Sequence, residues 1–488
     1  MVNESLKTKP LRLIALLLAL FFILGLAACG GGGGGGGSSN WDVAEGDTFE
    51  GGEVVAKPDT SWYNGGPGPF SISNANQLAG LAVLVNNGTD NFYGRTINLT
   101  ADIDLSAYGA GYNHGKGWTP IATTTRFSGT FNGNGKTISG LYIKDSTLNW
   151  AGLFGYIYSG TVKDLGIKDA DITGSDYVGG VAGEVAGGSI TNSYATGNVT
   201  GRSFVGGVAG YVSYNSSVTN SYATGSVRGY FYVGGVAGYV SYYSSVSNSY
   251  ATGTVSGDGR FVGGVAGYVS YNSSVTNSYA TGNVSSGDAF VGGVAGGVED
   301  QSTVSNSYAT GNVTGESFVG GVAGDVSYYS SVSNSYATGT VSGNDYGGGV
   351  AGYVYSSEVK NCAALSSAVV RNPGSTYTRF GRVAGSNGGS LSNNVANVAM
   401  TVMGAATTSV DGTNINGIHV FAGYSAWNFN NQSLYSSAPL FNYYSGSGGL
   451  GWRFGANDAN PWKWGGATYP LPILYWQTTV PVFPTHLN

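Results

Sequence analysis

The sequence is poor in charge, histidine and cysteine. Only 9% of its 488 residues are charged, against about 25% in an average soluble protein. The net charge is −6 with only 20 lysines and arginines, so a phosphate-binding surface is not expected and nucleic acid is excluded as a partner. Two cysteines exclude a disulfide scaffold. The three histidines lie far apart and form no His-Glu-x-x-His pair, which excludes a zinc peptidase.

Glycine and aromatic residues are abundant instead. There are 85 glycines, more than twice the usual share of about 7%. Aromatic residues make up 13% of the chain and include 35 tyrosines, which is enough large apolar surface to order it. The composition therefore predicts a folded, glycine-rich β protein rather than a disordered polymer.

The N-terminus is typical of an export signal. Basic residues precede an apolar run over 13–24, which is too short for a transmembrane helix. Leu26-Ala27-Ala28-Cys29 resembles a bacterial lipobox, and the resemblance implies lipidation of Cys29 after removal of a signal peptide, residues 1–28. A plain secretory signal with a chance cysteine is the alternative.

Residues 29–40 contain the cysteine and a glycine and serine run that cannot pack, so they are expected to form a flexible tether. Glycine after the cysteine resembles lipoproteins of the Gram-negative outer membrane, which implies a surface-exposed protein held there by its acyl chains, palmitate among them. The membrane is thus an expected partner through the lipid anchor, and the protein is expected to be a monomer.

The middle of the chain is an array of repeats. A Val-Gly-Gly-Val-Ala-Gly hexamer recurs every 27 to 29 residues. Its aligned copies begin at Val178, Val205, Val233, Val262, Val291, Val319 and Gly347. Degenerate copies at Trp150 and Phe380 bring the number to nine and set the bounds of the array at 150–385. A period near 28 indicates a solenoid.

Each repeat is expected to form β-strands. Valine, tyrosine and threonine recur in short runs bounded by turn-forming residues, and apolar residues with helical spacing are missing. One repeat cannot bury its own apolar face, whereas parallel stacking at about 4.8 Å pairs every coil with the next. An all-β fold follows, a parallel β-helix. A β-propeller is the rival, but its blades run to about 40–50 residues.

Two segments carry a resemblance to a known family. Phe261-Val-Gly-Gly-Val-Ala-Gly267 and Asn277-Ser-Tyr-Ala-Thr-Gly-Asn-Val284 resemble the GLUG repeat of bacterial surface and secreted proteins. The resemblance implies an extracellular β-helix, found in adhesin-like proteins and as an accessory region of secreted peptidases. It implies no shared catalytic residue.

The flanks are expected to cap the solenoid, because an open coil end would invite fibril-like pairing. Within 41–149, which should also hold the first coils, Asn74 and Gln77 predict the start of a short capping helix. Residues 386–488 lose the repeat and are predicted to form a C-terminal cap rich in tryptophan and proline. Exposed indoles there could instead form a sugar-binding platform. Its candidates are Trp427, Trp452, Trp462, Trp464 and Trp476.

Aromatic residues and asparagines at fixed repeat positions predict columns down the solenoid. One set precedes the hexamer: Tyr177, Phe204, Tyr232, Phe261, Phe290, Phe318 and Tyr346. A second set is Tyr194, Tyr222, Tyr250, Tyr279, Tyr308 and Tyr336. The asparagines at 192, 220, 248, 277, 306 and 334 predict an amide ladder. These columns should stabilise coil stacking, and Tyr177, Tyr232 and Tyr346 are also candidates for ligand contact.

Catalytic residues and cofactors are hard to identify. Gly129 to Thr137 has the wrong spacing for a phosphate loop and is typical of a β-turn. Asp102 and Asp104 alternate on one strand and could bind calcium, although that ion needs six to eight oxygen ligands and a structural pair explains them too. The chain is therefore expected not to be an enzyme and to need no cofactor other than this possible calcium ion.

The sequence thus favours a lipid-anchored surface β-helix that adheres to a glycan, or to a host or matrix surface, by multivalent contact. Two alternatives stay open. One is a carbohydrate-active enzyme, a polysaccharide lyase or glycoside hydrolase with carboxylates clustered on stacked coils. The other is a structural component of the envelope or matrix.

Overall fold

The computed structural model describes residues 56–403, 416, 430–437 and 449–487, and the backbone at 405–406 and 418–420. It confirms an all-β fold, with about 12 turns of a parallel β-solenoid built from repeats near 28 residues. The predicted signal peptide, Cys29, the tether and Trp427 lie outside the described residues.

A full coil contains five short strands. In one coil these are Ser203–Gly206, Ala209–Ser213, Ser217–Thr219, Tyr222–Ala223 and Val227–Gly229. Each pairs in parallel with the equivalent strand of the next coil, residue for residue. The strands therefore stack into five sets that run the length of the solenoid.

The bounds of the strands follow these sets. The first set is Asp176–Gly179, Ser203–Gly206, Phe231–Gly234, Val262–Gly263, Ala289–Gly292, Ser317–Gly320, Asp345–Gly348 and Phe380–Gly381. The second is Phe154–Tyr158, Ala182–Ala186, Ala209–Ser213, Ala237–Val240, Ala266–Val269, Ala295–Val298, Ala323–Ser327, Ala351–Lys360 and Ala384–Ser392. The last two strands of the second set continue into the third. The rest of the third is Phe70–Ile72, Thr96–Leu99, Thr130–Asn132, Thr161–Lys163, Ser189–Thr191, Ser217–Thr219, Ser245–Ser247, Ser274–Thr276, Thr303–Ser305 and Ser331–Ser333.

The fourth set is Ile103–Asp104, Thr137–Ser139, Gly166–Thr173, Tyr194–Thr200, Tyr222–Ala223, Tyr250–Ala251, Tyr279–Ala280, Tyr308–Ala309, Tyr336–Ala337, Ala363–Ala364, Val395–Asn397 and Ile418–Val420. Gly166–Thr173 and Tyr194–Thr200 continue into the fifth set. The rest of the fifth is Tyr142–Lys144, Val227–Gly229, Val255–Gly257, Val284–Ser286, Val313–Thr314, Val341–Gly343, Ala368–Arg371 and Thr401–Val402. Two antiparallel pairs complete the strands: Thr401–Val402 with Ala405–Ala406, and Trp462–Trp464 with Pro472–Leu474.

Columns of aliphatic side chains fill the interior. The first valine of the hexamer is fully buried in coil after coil, at Val178, Val205, Val233, Val262, Val291 and Val319. Each fully buried valine stabilises the fold by about 1.5–3 kcal/mol relative to an exposed one. Cys362 is buried with a free thiol and packs as a small apolar residue.

Buried serines form two ladders that sequence reasoning missed. In one, the backbone N–H of Ser221 donates to the Oγ of Ser249 at 3.2 Å, and Ser249 repeats the contact with Ser278. Each hydroxyl in turn donates to a backbone carbonyl of its own coil. Because both the donor and the acceptor of each hydroxyl are used, the serines can be buried at little cost.

The predicted capping helix is present. Helix α1 spans Ala75–Asn86, and the Asn74 side chain accepts a hydrogen bond from the Gln77 N–H at 3.0 Å. The Gln77 side chain accepts in return from the N–H of Ser73, one residue before the cap, at 2.9 Å. Leu78, Leu81, Ala82 and Val85 of this helix are buried in the same apolar core as the first described strand, Phe70–Ile72. Short 3-10 turns follow at Ser106–Tyr108 and Asn113–Gly115, and a third lies at Thr485–Leu487.

The corners of the coils hold residues with left-handed backbone. The repeated asparagines have φ near 50°, a conformation that asparagine tolerates well. The predicted amide ladder is confirmed between Asn220 and Asn192 at 3.0 Å and between Asn334 and Asn306 at 3.1 Å. It does not hold at Asn248, whose Nδ2 donates to Asp458 instead.

Residues 449–487 cover the flank of the last coils. Trp452 Nε1 donates to the Asn361 carbonyl at 2.7 Å, and a ring nitrogen of His486 lies 2.8 Å from the Leu365 carbonyl oxygen. A separate apolar cluster forms between this segment and the second tyrosine set. A second short helix, α2, spans Gln432–Ser436 and contributes two buried residues to that cluster.

Candidate functional site

A cleft of about 670 Å³ lies beside the start of the aromatic set. Four separate parts of the chain line it: the end of helix α1 with the following turn, the loop at 123–126, Trp150 and Tyr156. The lining residues are Val85, Gly88, Thr89, Asp90, Asn91, Thr123, Thr124, Thr125, Arg126, Trp150 and Tyr156. Its volume is within the usual range for small-ligand sites, about 300–1,000 Å³.

Hydrogen bonds fix the walls of the cleft. The Thr125 hydroxyl donates to the Val85 carbonyl at 2.9 Å, and the Thr123 N–H donates to the Asn86 side chain at 2.9 Å. Asp90 pairs with Arg95 and accepts from the Tyr63 hydroxyl at 2.8 Å. The loop is therefore tied to the helix, and the Asp90 charge is neutralised inside the wall.

Trp150 begins a continuous stack of rings, the aromatic column, which it forms with the seven residues predicted above. Its indole is 5.3 Å from Tyr177 at an interplanar angle of 6°, and the later steps are 4.5 to 5.4 Å. The predicted column is thus confirmed. All eight residues have φ between 50° and 64°, which costs roughly 1–2 kcal/mol per residue. Stacking offsets part of this cost, at about 0.5–1.5 kcal/mol per ring pair.

The position of each ring in the column decides whether it can offer a face to a ligand. Tyr177 and Tyr232 have a ring stacked on both faces. Tyr346, at the other end, has Phe318 on one side and the Arg379 guanidinium 3.9 Å from its ring centroid. Among the described residues, Tyr177 alone stacks on Trp150, and the indole lines the cleft. Tyr177, Tyr232 and Tyr346 thus have both faces covered by a ring or a guanidinium, whereas Trp150 carries a ring on one face and its indole lines the cleft.

A buried carboxylate holds the Trp150 indole in place. Trp150 Nε1 donates to Glu184 Oε2 at 2.8 Å, and Glu184 is only 3% exposed. Burial raises the pKa of Glu184 from its ordinary 4.5 to about 7, while the hydrogen bond from Trp150 lowers it slightly. Glu184 does not line the cleft itself and is linked to it through the Trp150 indole that it holds.

This pKa shift predicts a pH-dependent stability. The folded protein binds the Glu184 proton more tightly than the unfolded chain does. The stability that protonated Glu184 contributes is therefore fully present below pH 4.5 and is lost as pH rises through about 7. Between pH 5 and pH 7 the loss should be about 2 kcal/mol. Glu184→Gln keeps the acceptor for Trp150 and should remove this slope, as measured by hydrogen exchange in the surrounding coils at both pH values.

The matched control for this prediction is Glu316→Gln, because Glu316 is exposed. It should leave the pH dependence of wild type unchanged. Equal pH slopes in wild type and Glu184→Gln would show that Glu184 is not held protonated in the folded state.

Two further buried carboxylates lie in later coils of the array. Tyr268 donates to Glu299 Oε2 at 2.8 Å, and the Ser327 hydroxyl donates to Asp325 Oδ2 at 2.7 Å. Burial raises the pKa of Asp325 to about 6 and holds the pKa of Glu299 well above its usual value. Sequence reasoning missed all three acids, although aligning the repeats could have found Glu184 and Asp325. Glu184 and Asp325 occupy the repeat position that holds Tyr211, Tyr239 or Tyr268 in other coils.

The second predicted column is also confirmed. Its rings, called here the tyrosine column, stack at 4.7 to 5.0 Å from Tyr194 to Tyr336. Trp476 packs on Tyr250 and Tyr279, and Trp462 packs on Tyr308 and Tyr336. The C-terminal segment therefore covers one end of the column.

This packing corrects the sugar-platform hypothesis for two tryptophans. Trp452 and Trp462 are 2% and 0% exposed and stack on each other at 4.7 Å. Their faces contact protein because the tyrosine column provides a large apolar surface beside them. Trp464 and Trp476 are half-buried, with Trp464 6.1 Å from Tyr435.

Asp102 and Asp104 each accept a hydrogen bond from a backbone N–H. Asp102 accepts from the Thr137 N–H at 2.7 Å, which lowers the pKa of its carboxyl. Asp104 accepts from the Ser106 N–H at 2.8 Å. Within the described ranges, histidine, cysteine and acidic side chains do not gather in groups of three or more that could hold a metal ion. Calcium binding by the two aspartates stays a prediction.

Neither helix in the described part of the chain has the length and apolar character needed to cross a membrane.

Comparison with known proteins identifies the repeats. The model of the GLUG motif matches residues 174–200, 201–228, 229–256, 262–285 and 291–314. Halomucin of Haloquadratum walsbyi is 40% identical over 142 residues, which are 28% of this chain and 2% of that protein. A protein of Evansella cellulosilytica described as a Gly-rich membrane protein is 36% identical over 126 residues, 24% of this chain and 14% of that protein. The chain thus matches only a small part of either relative.

A crystal structure of a candidate immunoglobulin A1 protease from Bacteroides ovatus is 18% identical and covers 84% of this chain and 93% of its own. Its TM-score of 0.39 is too low to carry a structural argument. The family match agrees with the resemblance seen in the sequence and with the observed coils. Residues 174–314 are therefore a run of five GLUG-motif repeats.

Proposed function

We propose that this protein is a lipid-anchored adhesin of the bacterial surface and that the cleft beside Trp150 binds a glycan. The observation that carries the proposal is the position of Trp150, which ends the aromatic column and lines a cleft with polar walls. Sugar rings present apolar C–H faces that stack on aromatic rings, while their hydroxyls need hydrogen-bond partners at the edges.

The cleft supplies both kinds of contact. Tyr156 and Trp150 give aromatic surface, Thr124 and Asn91 give hydroxyl and amide groups, and Arg126 adds one cation at the rim. The fixed loop and the bonded indole mean that little conformational entropy is lost on binding. A rigid cleft of this composition suits a sugar chain better than a flexible peptide.

The expected location of the protein at the cell surface agrees with a role in adhesion. The lipobox-like sequence around Cys29 and the glycine tether would hold a rigid solenoid away from the membrane. One matched relative is named halomucin and another is described as a membrane protein. Many anchored copies on one cell would bind a polymeric glycan with higher avidity than a single cleft.

A glycan array probed with the chain from residue 41 onward tests the proposal. Trp150→Ala should weaken binding to the recognised glycan at least tenfold, the equivalent of about 1.4 kcal/mol, because the stacking face is removed. Trp150→Phe should retain part of the affinity. Tyr243→Ala is the matched control, since Tyr243 is an exposed aromatic residue outside the cleft.

Three outcomes of this experiment are decisive. Binding that Trp150→Ala and Tyr243→Ala weaken equally would contradict a site in the cleft. Shortened products from a bound polysaccharide would replace adhesion with a lyase or hydrolase activity, and failure to bind any glycan would favour the structural role.

In cells, Cys29→Ser should release the full-length protein from the membrane fraction, and its retention would contradict the anchor.

A further inference from the structure

A second depression, the groove, lies at the coil corner that precedes the first strand set. It has a volume of about 460 Å³ and shares no lining residue with the cleft. Its side-chain walls come from three successive coils: Arg202 from one, Arg228, Tyr230 and Phe231 from the next, and Asp258 from the third. The array of repeats thus presents two cations and two exposed rings together at this corner.

The two rings form a fixed platform. Tyr230 and Phe231 are 46% and 37% exposed, and their rings meet edge to face at 4.4 Å. The Tyr230 N–H donates to the Arg202 carbonyl at 2.8 Å. Gly259 lies so close beneath that a Cβ there would be 3.0 Å from the Tyr230 ring. The ring therefore rests on the backbone of the next coil with its outer surface in solvent.

The two arginines differ in how firmly they are held. Arg202 binds Asp176 through both Nε and Nη2, and Asp176 is mostly shielded from solvent. Arg228 binds Asp258 through Nη2, at 3.1 and 3.5 Å from the two carboxylate oxygens, and both side chains are 64% exposed. An ion pair so exposed contributes only about 0–1 kcal/mol, so a ligand carboxylate can replace Asp258 at little cost.

We propose that the groove binds a uronic acid residue, a sugar ring that bears a carboxylate. The sugar ring would stack on the solvent-facing side of Tyr230, with Phe231 at 89° to it as a side wall. The Arg228 guanidinium would form a bidentate pair with the carboxylate, the geometry that suits this side chain best. Arg202 adds a second positive charge at the edge of the groove. A neutral sugar would use the platform and leave the cations unused, and a free carboxylate would use the cations and leave the platform unused.

Calorimetric titration with a glucuronate-containing disaccharide and with its glucose counterpart tests the proposal on the chain from residue 41 onward. The acidic sugar should bind at least tenfold more tightly than the neutral one, and Arg228→Gln should remove this preference. Tyr230→Ala should weaken both sugars. Arg260→Gln is the matched control, because Arg260 forms a similar exposed pair with Asp288 outside the groove lining and its loss should change nothing.

Asp258→Asn gives the sharpest result. If a ligand carboxylate competes with Asp258 for Arg228, the variant should bind the acidic sugar several-fold more tightly. Weaker binding would show that Asp258 itself accepts sugar hydroxyls and would overturn the proposal. Equal displacement by acetate and by glucuronate would also overturn it, because the platform would then contribute nothing. Trp150→Ala should leave this binding unchanged, so the groove and the cleft succeed or fail separately.

Discussion

Replacement of Gly225 by alanine is expected to separate two coils of the solenoid and to destabilise them by about 4 kcal/mol or more. A Cβ at this position would lie 1.4 Å from the Gly197 carbonyl oxygen and 2.3 Å from its carbonyl carbon, both in the preceding coil. Overpacking usually costs about 1–3 kcal/mol, and more where backbone must move. Here the coils must move apart, which also breaks inter-coil hydrogen bonds worth roughly 1 kcal/mol each.

The measurement is hydrogen exchange at the amides of the two coils, because a long repeat array need not unfold in one step. The amides of Thr224 and Val199, which bond across this junction, should lose protection first. Gly287→Ala is the matched control, since its Cβ would be 3.5 Å from the nearest atom, in an exposed turn of the same array. Equal protection in both variants would contradict the close approach of the coils.

The glycine at 225 also shows why the fold could be predicted from the sequence. The Ala-Thr-Gly corner recurs with the same period as the hexamer, and identical residues at a fixed period must stack when the coils are parallel. The aromatic and tyrosine columns and the capping helix at Asn74 follow from the same reasoning. Each depends on local pattern or on period, which a single sequence displays directly.

The candidate site could not be predicted in this way. The cleft joins the end of helix α1, the loop at 123–126, Trp150 and Tyr156, and the first two of these lie outside the periodic part of the chain. The left-handed backbone of the aromatic residues could not be predicted from the sequence either, because bulky side chains rarely adopt positive φ. The position of Trp150 at the end of the stack and in the cleft lining becomes evident only once the coils are assembled.

The sugar-platform alternative fails for Trp452 and Trp462 for a related reason. A segment without a repeat has no register relative to the coils, so its sequence does not say which surface it covers. The structure places Trp462 against Tyr308 and Tyr336, two members of the tyrosine column that are fully buried as a result. Hydrogen bonds from Tyr308 to Gln477 at 2.7 Å and from Tyr336 to the Pro472 carbonyl at 2.8 Å fix the alignment.

Trp462→Ala is therefore expected to release the C-terminal segment from the flank of the solenoid. The indole is 0% exposed, and loss of a buried tryptophan costs about 3–5 kcal/mol. Burial now raises the pKa of Tyr308 and Tyr336 well above the usual value for tyrosine. In the variant both phenols should ionise at lower pH, which alkaline titration of tyrosine absorbance measures. Trp462→Phe, which keeps an aromatic ring, should lose less.

The part of the protein that Trp462→Ala destabilises distinguishes two possible roles of the C-terminal segment. The solenoid has its own continuous core, separate from the cluster that contains Trp462. If the segment only covers the flank, Trp462→Ala should expose 449–487 to proteolysis while the amides of the central coils keep their protection. Loss of protection throughout the coils would mean that the segment holds the solenoid together, because a local cavity cannot otherwise act on coils that it does not contact. The independent cores make the first result the expected one.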